Sequence, residues 1–297
     1  MQQRRLACVV MTFRGREDVV RAVRSLLVQD PEPEVVVVNS GGNSPEQRLR
    51  EAGLDVRVLD IAQPLTPGGA RNVGVAATTA PFVSFLAGDC WAAPGWVAGR
   101  LREHEDGARA VAARVLNPYP RNAFACAFHL VAHGRRAAPS NRLLGLSYER
   151  AWLERSGKFR DTTVAGEDVD MQCRLGADAR VAAPSDVVTF HDHPRDATRL
   201  AQELADRARR QTVEARRHGV PPGRRPVPLY AADHLAAAMA ATLSGSAQTT
   251  VRETLRGLPL ALPAAVAYAF LALSPPAAPA RQPRAASPTS AASAPQA

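Results

Sequence analysis

Four consecutive valines at positions 35–38 are the feature that most constrains how this chain folds. A strand that is apolar at every position is covered on both faces, and such strands are typical of parallel sheets flanked by helices. Further apolar runs at 6–12, 56–59 and 82–87 alternate with predicted helices at 16–27, 44–52 and 69–77. This alternation predicts right-handed βαβ units and an α/β fold with a Rossmann-like, mostly parallel central sheet.

Beyond position 89 the pattern is looser. We expect a strand at 110–116, a mixture of loop and helix at 141–159, and helices at 96–105, 123–133 and 167–175.

Composition limits the size, the partners and the compartment. A chain of 297 residues, 46% of them hydrophobic, can bury a sizeable core in one large domain. The net charge is +9, but Lys158 is the only lysine among 37 cations. We therefore attribute the charge to overall arginine-rich composition and expect no nucleic-acid binding. The four cysteines form no CxxC pair, which argues against a zinc site or a disulfide framework. The N-terminus lacks the apolar stretch of a signal peptide, so we expect a cytoplasmic body.

Polar and flexible residues follow the first two predicted strands. Thr12, Phe13 and Arg14 end the first strand, and Asn39 ends the second. Ligands of open parallel sheets bind beyond the carboxyl ends of the strands, so these residues are candidates for binding a nucleotide, with Asn39 at the edge of a base. Ordinary strand-ending turns explain the same residues equally well.

A second candidate is the glycine pair Gly68 and Gly69 at the start of a predicted helix. Bare backbone amides at the positive end of a helix dipole suit a phosphate, and Arg71 and Asn72 lie within the next turn. The segment is neither GxGxxG nor a P-loop, which argues against a dinucleotide enzyme or an NTPase.

Gly88 and Asp89 follow a buried strand and predict a metal site. A carboxylate at such a position can hold Mg²⁺ or Mn²⁺, which bind through substrate phosphates and keep several waters. His191 is the candidate second ligand, and His193 is an alternative to it. A turn or a helix cap at Asp89 and surface histidines are the competing explanations.

Glu167, Asp168 and Asp170 open a predicted helix after Gly166. Acids in a first turn are stabilised by the helix dipole, so capping alone is one explanation. The adjacent pair also faces two directions, so that one acid can serve as a general base while the other holds the loop or the acceptor.

In this order, the segments resemble family-2 glycosyltransferases of the GT-A fold. They are Asn39-Ser-Gly-Gly, Gly-Gly-Ala-Arg-Asn-Val-Gly at 68–74, Phe-Leu-Ala-Gly-Asp at 85–89, Gly-Lys-Phe at 157–159, Gly-Glu-Asp-Val-Asp at 166–170 and His191. The resemblance covers roughly residues 5–195. It implies an inverting transfer of a sugar from a nucleotide-diphosphate donor to a hydroxyl acceptor, in cell-envelope polysaccharide synthesis. It further implies that Asp168 is the base, with Glu167 beside it, and that Asp89 is the ligand of a divalent metal.

The chain departs from the family pattern at two places. The family usually carries two aspartates where this chain has Asn39 and Ser40, and Asp-X-Asp where it has Ala87-Gly88-Asp89. These departures leave open a different donor and a weaker dependence on metal. They also leave open a non-catalytic family member that binds a nucleotide sugar. A sugar nucleotidyltransferase is a further alternative, but no glycine- and lysine-rich loop is present near 12–20.

The sequence predicts three regions: a GT-A domain at 1–195, a helical extension at 196–273 and a disordered tail rich in Pro, Ala and Ser at 274–297. The extension begins with an arginine-rich helix and ends with an apolar run at 258–273, which is shorter than the roughly 20 residues of a spanning helix. We expect this run either to rest on the inner face of the cytoplasmic membrane or to pack on the domain. The first arrangement would suit a lipid-linked or saccharide acceptor.

Overall fold

The computed structural model describes residues 4–16, 18–133, 144–162, 166–175, 179–217 and 250–273. The first half follows the predicted alternation: β1 Leu6–Phe13, α1 Val19–Leu27, β2 Glu34–Ser40, α2 Glu46–Glu51, β3 Arg57–Ile61, α3 Pro67–Ala76 and β4 Phe82–Ala87. The remaining elements are β5 Cys90–Ala92, α4 Trp96–Glu105, β6 Ala110–Leu116, α5 Ala123–Ala132, β7 Leu144–Glu149, α6 Arg150–Arg155, α7 Glu167–Leu175, β8 Val181–Ala182, β9 Val188–His191, α8 Ala197–Arg217 and α9 Val251–Leu273.

Within the described residues, nine strands form a mixed sheet in the order β3-β2-β1-β4-β7-β6-β9-β5, with β8 beside β6. β1 pairs in parallel with both β2 and β4, and β2 pairs in parallel with β3. β7 is antiparallel to β4 and to β6, so it marks the change from the parallel half to the mixed half. The predicted α/β fold is confirmed, and its parallel part consists of β1 to β4, the strands beside which nucleotide binding was predicted.

The valine run is covered on both sides, as predicted. Val36 and Val38 belong to the core on one face of the sheet, which also receives residues of α3, α6 and α7. Val37 belongs to the core on the other face, which receives α1, α2 and α4. All three valines are at most 1% exposed. Because successive side chains of a strand point to opposite faces, a strand without polar positions requires helices on both faces.

The stretch 141–159 differs from the prediction of loop and helix. Its described part contains β7, a strand in the interior of the sheet, followed by α6. The sequence Leu-Gly-Leu-Ser-Tyr-Glu has no clear strand pattern, but Ser147 and Tyr148 pair with both β4 and β6. Tertiary pairing with two neighbours therefore determines this strand rather than local propensity.

The helices α8 and α9 pack on α5 and share a third apolar core with it. This core contains Leu200, Leu204 and Ala208 of α8 and Ala261, Ala264 and Ala265 of α9, against Ala127, Leu130 and Val131 of α5. The apolar run at 258–273 is thus part of one 23-residue helix that includes Pro259 and Pro263. Of the two expected arrangements, packing on the domain is observed. Residues 218–249 and the predicted tail at 274–297 lie outside the described residues, and the three-region division stays a prediction.

Candidate active site

The carboxyl ends of the parallel strands form one row of polar groups. The strand register places Thr12 opposite Asn39, and Asn39 opposite Asp60. On the other side of β1, the amide of Gly88 donates to the carbonyl of Met11 at 2.8 Å. Parallel strands end at the same edge of a sheet, which is the edge where ligands of open α/β sheets bind. The structure therefore brings together the predicted donor residues of three strands.

Asn39 is fully buried, and protein groups occupy its amide. Its Oδ1 accepts from the Gly15 amide (3.1 Å), and its Nδ2 donates to the Gly42 carbonyl (2.9 Å) and to Asp60 Oδ1 (2.6 Å). These bonds join the loops after β1 and β2 and orient Asp60, whose residue is exposed. The predicted contact of Asn39 with a base edge stays a prediction, and Asp60 is the better placed residue. Asp60 could have been found by the same signal as Asn39, because it too is a polar residue near the end of a strand.

Phe13 and Arg14 lie at the outer end of β1. Phe13 is 37% exposed, and the Arg14 guanidinium lies over its ring at 5.1 Å from the centroid. Arg14 has a left-handed backbone (φ 56°), and its amide donates to the Ser40 carbonyl at 2.8 Å. This conformation turns the chain away from the sheet and leaves the aromatic ring and the guanidinium at the rim of the site.

The start of α3 is more enclosed than predicted. A Cβ on Gly68 would lie 2.4 Å from the Arg160 carbonyl oxygen, so the glycine is needed for close approach of the loop before α7. Asn72 binds the same loop twice: its Nδ2 donates to the Phe159 carbonyl (2.8 Å), and its Oδ1 accepts from the Phe159 amide (3.1 Å). The Gly69 amide donates to Thr66 Oγ1 at 3.1 Å. These groups position the loop, and their predicted contact with donor phosphates stays a prediction.

Arg71 connects α3 to the acids of α7. Its guanidinium forms an ion pair with the Glu167 carboxylate, and the two side chains are only 16% and 10% exposed. It also lies over the rings of Phe159 (5.1 Å) and Phe85 (5.7 Å). Burial acts to lower the pKa of the Arg71 guanidinium, but the charges of Glu167 and Asp168 outweigh it and raise the pKa. Arg71 therefore stays cationic and neutralises Glu167.

The three acids of α7 have different surroundings. Glu167 is buried against Arg71, whereas Asp168 is half-buried. Asp170 contacts Arg174 Nη2 at 2.5 Å and Arg160 Nε at 3.4 Å. The arginine contacts of Glu167 and Asp170 hold the loop and the helix together. Asp168 stays the predicted base through its position in the motif.

Asp89 and His191 converge although about a hundred positions separate them. Asp89 Oδ2 lies 3.6 Å from His191 Nε2, and the two side chains are 37% and 16% exposed. β5 and β9 create this approach, because Cys90 pairs with His191 and the Asp192 amide donates to the Asp89 carbonyl at 2.8 Å. The predicted pair of metal ligands is thus brought together.

The donor set fits a divalent ion. One carboxylate oxygen and one imidazole nitrogen face a common space with partial access to solvent, and Cys90 is the third residue within reach. Burial, followed by the neighbouring Asp89 charge, raises the pKa of the Cys90 thiol well above its ordinary value. A protonated thiol is a poor ligand, so the site offers oxygen and imidazole, a set more suited to Mn²⁺ than to Mg²⁺.

Comparison with known proteins identifies the domain. Residues 8–137 match the family model described as Glycosyl transferase family 2. This stretch, a little under half of the chain, is similar to family-2 glycosyltransferases. The recognition made from the ordered motifs is confirmed.

Two curated relatives carry glycosyltransferase or polysaccharide names. The chain is 33% identical over 177 residues to the "Pre-mycofactocin glycosyltransferase" of Mycobacterium tuberculosis, covering 54% of this chain and 37% of that protein. It is 26% identical over 199 residues to the "Succinoglycan biosynthesis protein ExoU" of Rhizobium meliloti, covering 56% of each. The chain thus spans between about two fifths and just over half of these relatives.

Two solved structures share the fold of the glycosyltransferase domain. One is the mannosyltransferase PcManGT of Pyrobaculum calidifontis, in complex with GDP-Man and Mn²⁺, with 19% identity and a TM-score of 0.57 over 91% of this chain and 86% of that one. The other is S. aureus TarS in complex with UDP-GlcNAc, with 17% identity and a TM-score of 0.50 over 90% of each chain. At these identities the likeness shows the fold alone.

The glycosyltransferase domain has a further polar group that the sequence did not reveal. Tyr119 donates from its hydroxyl to Asp192 Oδ1 at 2.5 Å, and the Arg195 guanidinium lies 4.7 Å from the centre of its ring. Arg21 lies over Trp91 of β5 at 4.5 Å. Two arginines thus lie on elements next to Asp89. They come from separate segments, so only the docking of β9 on β5 and β6 places them together.

Proposed function

We propose that this chain transfers a sugar from a nucleoside-diphosphate donor to a hydroxyl acceptor with inversion at the anomeric carbon. The observation that carries the proposal is the approach of His191 to Asp89 at the carboxyl edge of a family-2 glycosyltransferase sheet. The row ending in Asp60 would contact the nucleoside, and the segment around Asp89 the diphosphate. The bound GDP-Man and UDP-GlcNAc of the two structural neighbours support a nucleotide-sugar donor.

Asp168 is the proposed general base. It would accept the proton of the acceptor hydroxyl while that oxygen bonds to the anomeric carbon and the bond to the diphosphate breaks. Attack opposite the leaving diphosphate inverts the configuration. Glu167 would keep its ion pair with Arg71 and hold the loop. Its ion pair is the physical reason for assigning the base role to its neighbour.

Asp89 and His191 would hold Mg²⁺ or Mn²⁺ at the diphosphate. Such an ion, when bound, supplies positive charge that stabilises the departing diphosphate. The Mn²⁺ of the PcManGT structure supports this choice. Ala87 provides no carboxylate, so the imidazole of His191 takes the place of a second acid.

The metal assignment predicts a loss of donor affinity in Asp89→Ala. Calorimetry with the donor should show weaker binding after EDTA treatment, and Asp89→Ala should reproduce that loss without further response to EDTA. Asp55→Ala removes an exposed carboxylate elsewhere and serves as the control. Donor affinity that is indifferent to both EDTA and Asp89→Ala would mean that the diphosphate is bound without a metal.

A screen of nucleotide sugars tests the activity itself. Each donor is incubated with the full chain and Mg²⁺ or Mn²⁺, and released nucleoside diphosphate is measured. At least one donor should be hydrolysed slowly without an acceptor. Binding of a donor without hydrolysis, and without transfer to any added saccharide or lipid-linked acceptor, would favour the non-catalytic alternative. Pyrophosphate release from a nucleoside triphosphate and a sugar phosphate would identify a nucleotidyltransferase instead.

The acceptor side of the proposal concerns α9. Within the described residues, no helix is both long and apolar enough to cross a bilayer. The outward face of α9 nonetheless exposes a stripe of large apolar side chains, Val251, Leu255, Leu262 and Val266. Arg252 and Arg256 lie beside this stripe. This combination supports peripheral attachment at the inner face of the cytoplasmic membrane and a lipid-linked or saccharide acceptor of cell-envelope polysaccharide synthesis.

A further inference from the structure

Four histidines form a buried cluster directly behind the Asp89 site. His129 and His193 are fully buried, and His133 at the end of α5 is 9% exposed. Nδ1 of His191 lies 2.8 Å from Nδ1 of His193, and Nε2 of His193 lies 2.7 Å from Nδ1 of His129. The proposed transfer reaction uses only His191, through its other nitrogen, Nε2.

His133 differs from the other members of the cluster in its hydrogen bonding. Among the described residues, neither of its ring nitrogens has a hydrogen-bond partner, although both are buried. A buried polar atom without a partner is rare in folded proteins and destabilises them, so each such atom requires an explanation. The His133 ring lies between 5.4 and 5.5 Å from the rings of His129, His191 and His193. The His133 ring is therefore packed among three other imidazoles.

We propose that His133, His191 and His193 form a second metal site, specific for a transition ion such as Zn²⁺ or Co²⁺. One ligand atom from each of the three residues lies within 4.8 Å of the others, so modest ring movements would bring all three to a common ion. Three imidazoles with a fourth open position are a known zinc ligand set. The lack of CxxC pairs, which argued against a zinc site from the sequence, concerns sites built from thiolates and does not bear on a site built from imidazoles.

The chemistry of the cluster selects against Mg²⁺. Imidazole nitrogen suits Zn²⁺, Co²⁺, Ni²⁺ and Cu²⁺, whereas Mg²⁺ requires oxygen ligands, and the three residues provide none. Burial, and then the neighbouring His191, lower the pKa of His133 and of His193 well below its ordinary value.

His129 would act as the supporting partner of this site. If His193 donates from Nε2 to His129 Nδ1, the lone pair at His193 Nδ1 faces His191 and the proposed ion. A hydrogen bond from the second nitrogen of a ligating histidine commonly fixes its tautomer in this way. In the absence of the ion, the Nδ1–H group of His191 would donate a hydrogen bond to Nδ1 of His193. Binding of the ion at His191 Nδ1 would require that proton to move to His191 Nε2, the nitrogen beside Asp89, so that the ring stays neutral.

The site is distinct from the donor site in its ligands. His191 presents Nε2 to Asp89 and Nδ1 to the cluster, so the two sites share one ring but differ in every other residue. Asp89 belongs only to the donor site, and His133 belongs only to the proposed site. This difference allows the two sites to be separated by mutation.

Titration of the metal-free full-length protein with Co²⁺ tests the proposal. Co²⁺ bound by three imidazoles and one water gives visible d–d absorption bands of tetrahedral type. We expect these bands in the native protein and in Asp89→Ala, and their loss in His133→Phe, which keeps a planar ring. Loss of a direct ligand should weaken Co²⁺ binding by more than the roughly 10–100-fold typical of a lost supporting partner. His104→Gln changes a buried histidine outside the cluster and should leave the bands unchanged.

A thermal readout covers the case in which His133→Phe fails to fold. Excess Zn²⁺ should raise the melting temperature of the native protein and of Asp89→Ala, but not that of His133→Gln. The proposal is overturned if the native protein shows no tetrahedral bands. It is equally overturned if the bands vanish in Asp89→Ala and persist in either His133 variant, because Co²⁺ would then occupy the donor site alone.

Discussion

At the scale of single residues, the adjacent acids Glu167 and Asp168 are distinguished by their surroundings. The residues alone show two neighbouring carboxylates, and it is the family resemblance that assigns the base to Asp168. The structure places Arg71 against Glu167, and the two side chains form a buried ion pair. A carboxylate that is held by a cation is a weak base, because protonation would leave the cation uncompensated.

Replacement of Asp168 by Asn should therefore abolish most of the turnover while donor binding survives. Loss of a general base typically lowers the rate by about 10²–10⁴-fold. Turnover is measured by product release and donor affinity by calorimetry. Asp161→Asn, an exposed acid in the preceding loop, is the matched control and should retain activity. Near-normal turnover of Asp168→Asn would transfer the assignment to Glu167.

His104 predicts a specific dependence of stability on pH. Its Nδ1 lies 2.8 Å from the Ala108 carbonyl and its Nε2 2.8 Å from Ser147 Oγ, in the interior. Burial is the main cause that lowers its pKa from 6.5 to about 4. The unfolded chain therefore takes up this proton first as the pH falls. The stabilisation is complete above the unfolded pKa and is lost as the pH falls from about 6.5 towards about 4.

The measurement compares the free energy of unfolding of the native protein and His104→Gln at pH 7 and pH 5. We expect the advantage of the native protein to shrink by about 2 kcal/mol between these two values. The difference between the proteins isolates His104 from the other buried histidines. An advantage that is the same at both pH values would show that folding does not lower the pKa of His104.

At the scale of elements, α3 lies unusually close to β1 because of one glycine. A Cβ on Gly74 would lie 2.2 Å from Val9 Cγ1 and 2.7 Å from Val9 Cγ2. This close approach fixes the height of α3 above the sheet and, with it, the position of Arg71 one turn earlier. The sequence can suggest a small residue where a helix packs closely on a strand, but it could not show that Val9 of β1 is the residue in contact.

Gly74→Ala should destabilise the protein by about 1–3 kcal/mol, the usual cost of overpacking a core. Val9→Ala alone should also destabilise, since it leaves a cavity. The double variant should lose less stability than the sum of the two single variants, because the smaller side chain makes room for the new methyl group. Denaturant unfolding gives the three values. Strict additivity would show that the two positions do not share a contact.

The sequence predicted those elements whose local pattern agrees with their final environment. β1 to β4 are apolar runs between helices of normal length, and they were found with small errors at their ends. β7 was missed because its six residues become a strand only through pairing with β4 and β6. The same limit applied to the site. Asp89 and His191 were recognised as ligand types, whereas the use of Asn39 and Asn72 as internal braces depends on loops distant in sequence.

At the scale of the whole molecule, α9 has two apolar faces, of which one is buried and the other is exposed. One face, with Ala261, Ala264 and Ala265, is buried against α5 and α8. At Gly257 a Cβ would lie 2.7 Å from the Cys126 carbonyl carbon, which shows how closely α9 lies on α5. The other face exposes Leu255 (67%) next to two arginines. The helix thus packs on the domain through one face and leaves the other face exposed.

The full chain should bind vesicles that contain anionic lipid, and high salt should weaken this binding, since each basic residue near such a surface contributes about 1 kcal/mol. Leu255→Glu combined with Leu262→Glu should reduce co-sedimentation strongly. Val28→Glu, at a position that is 74% exposed on α1's end, is the control and should bind normally. Negligible binding of the native protein, or equal binding of all three proteins, would refute the attachment.

The segment matched by the family model ends at position 137, before α7 and β9 begin. Most of the groups proposed to hold the nucleotide and diphosphate therefore lie in one contiguous stretch, from Thr12 to Asp89. His191 is the exception and lies about a hundred residues later in the chain. The acid proposed to activate the acceptor is encoded separately, in a stretch that the family model does not reach. The buried ion pair of Arg71 with Glu167 is the physical connection between these two stretches, so a change at either end of it should be felt on both the donor side and the acceptor side of the proposed reaction.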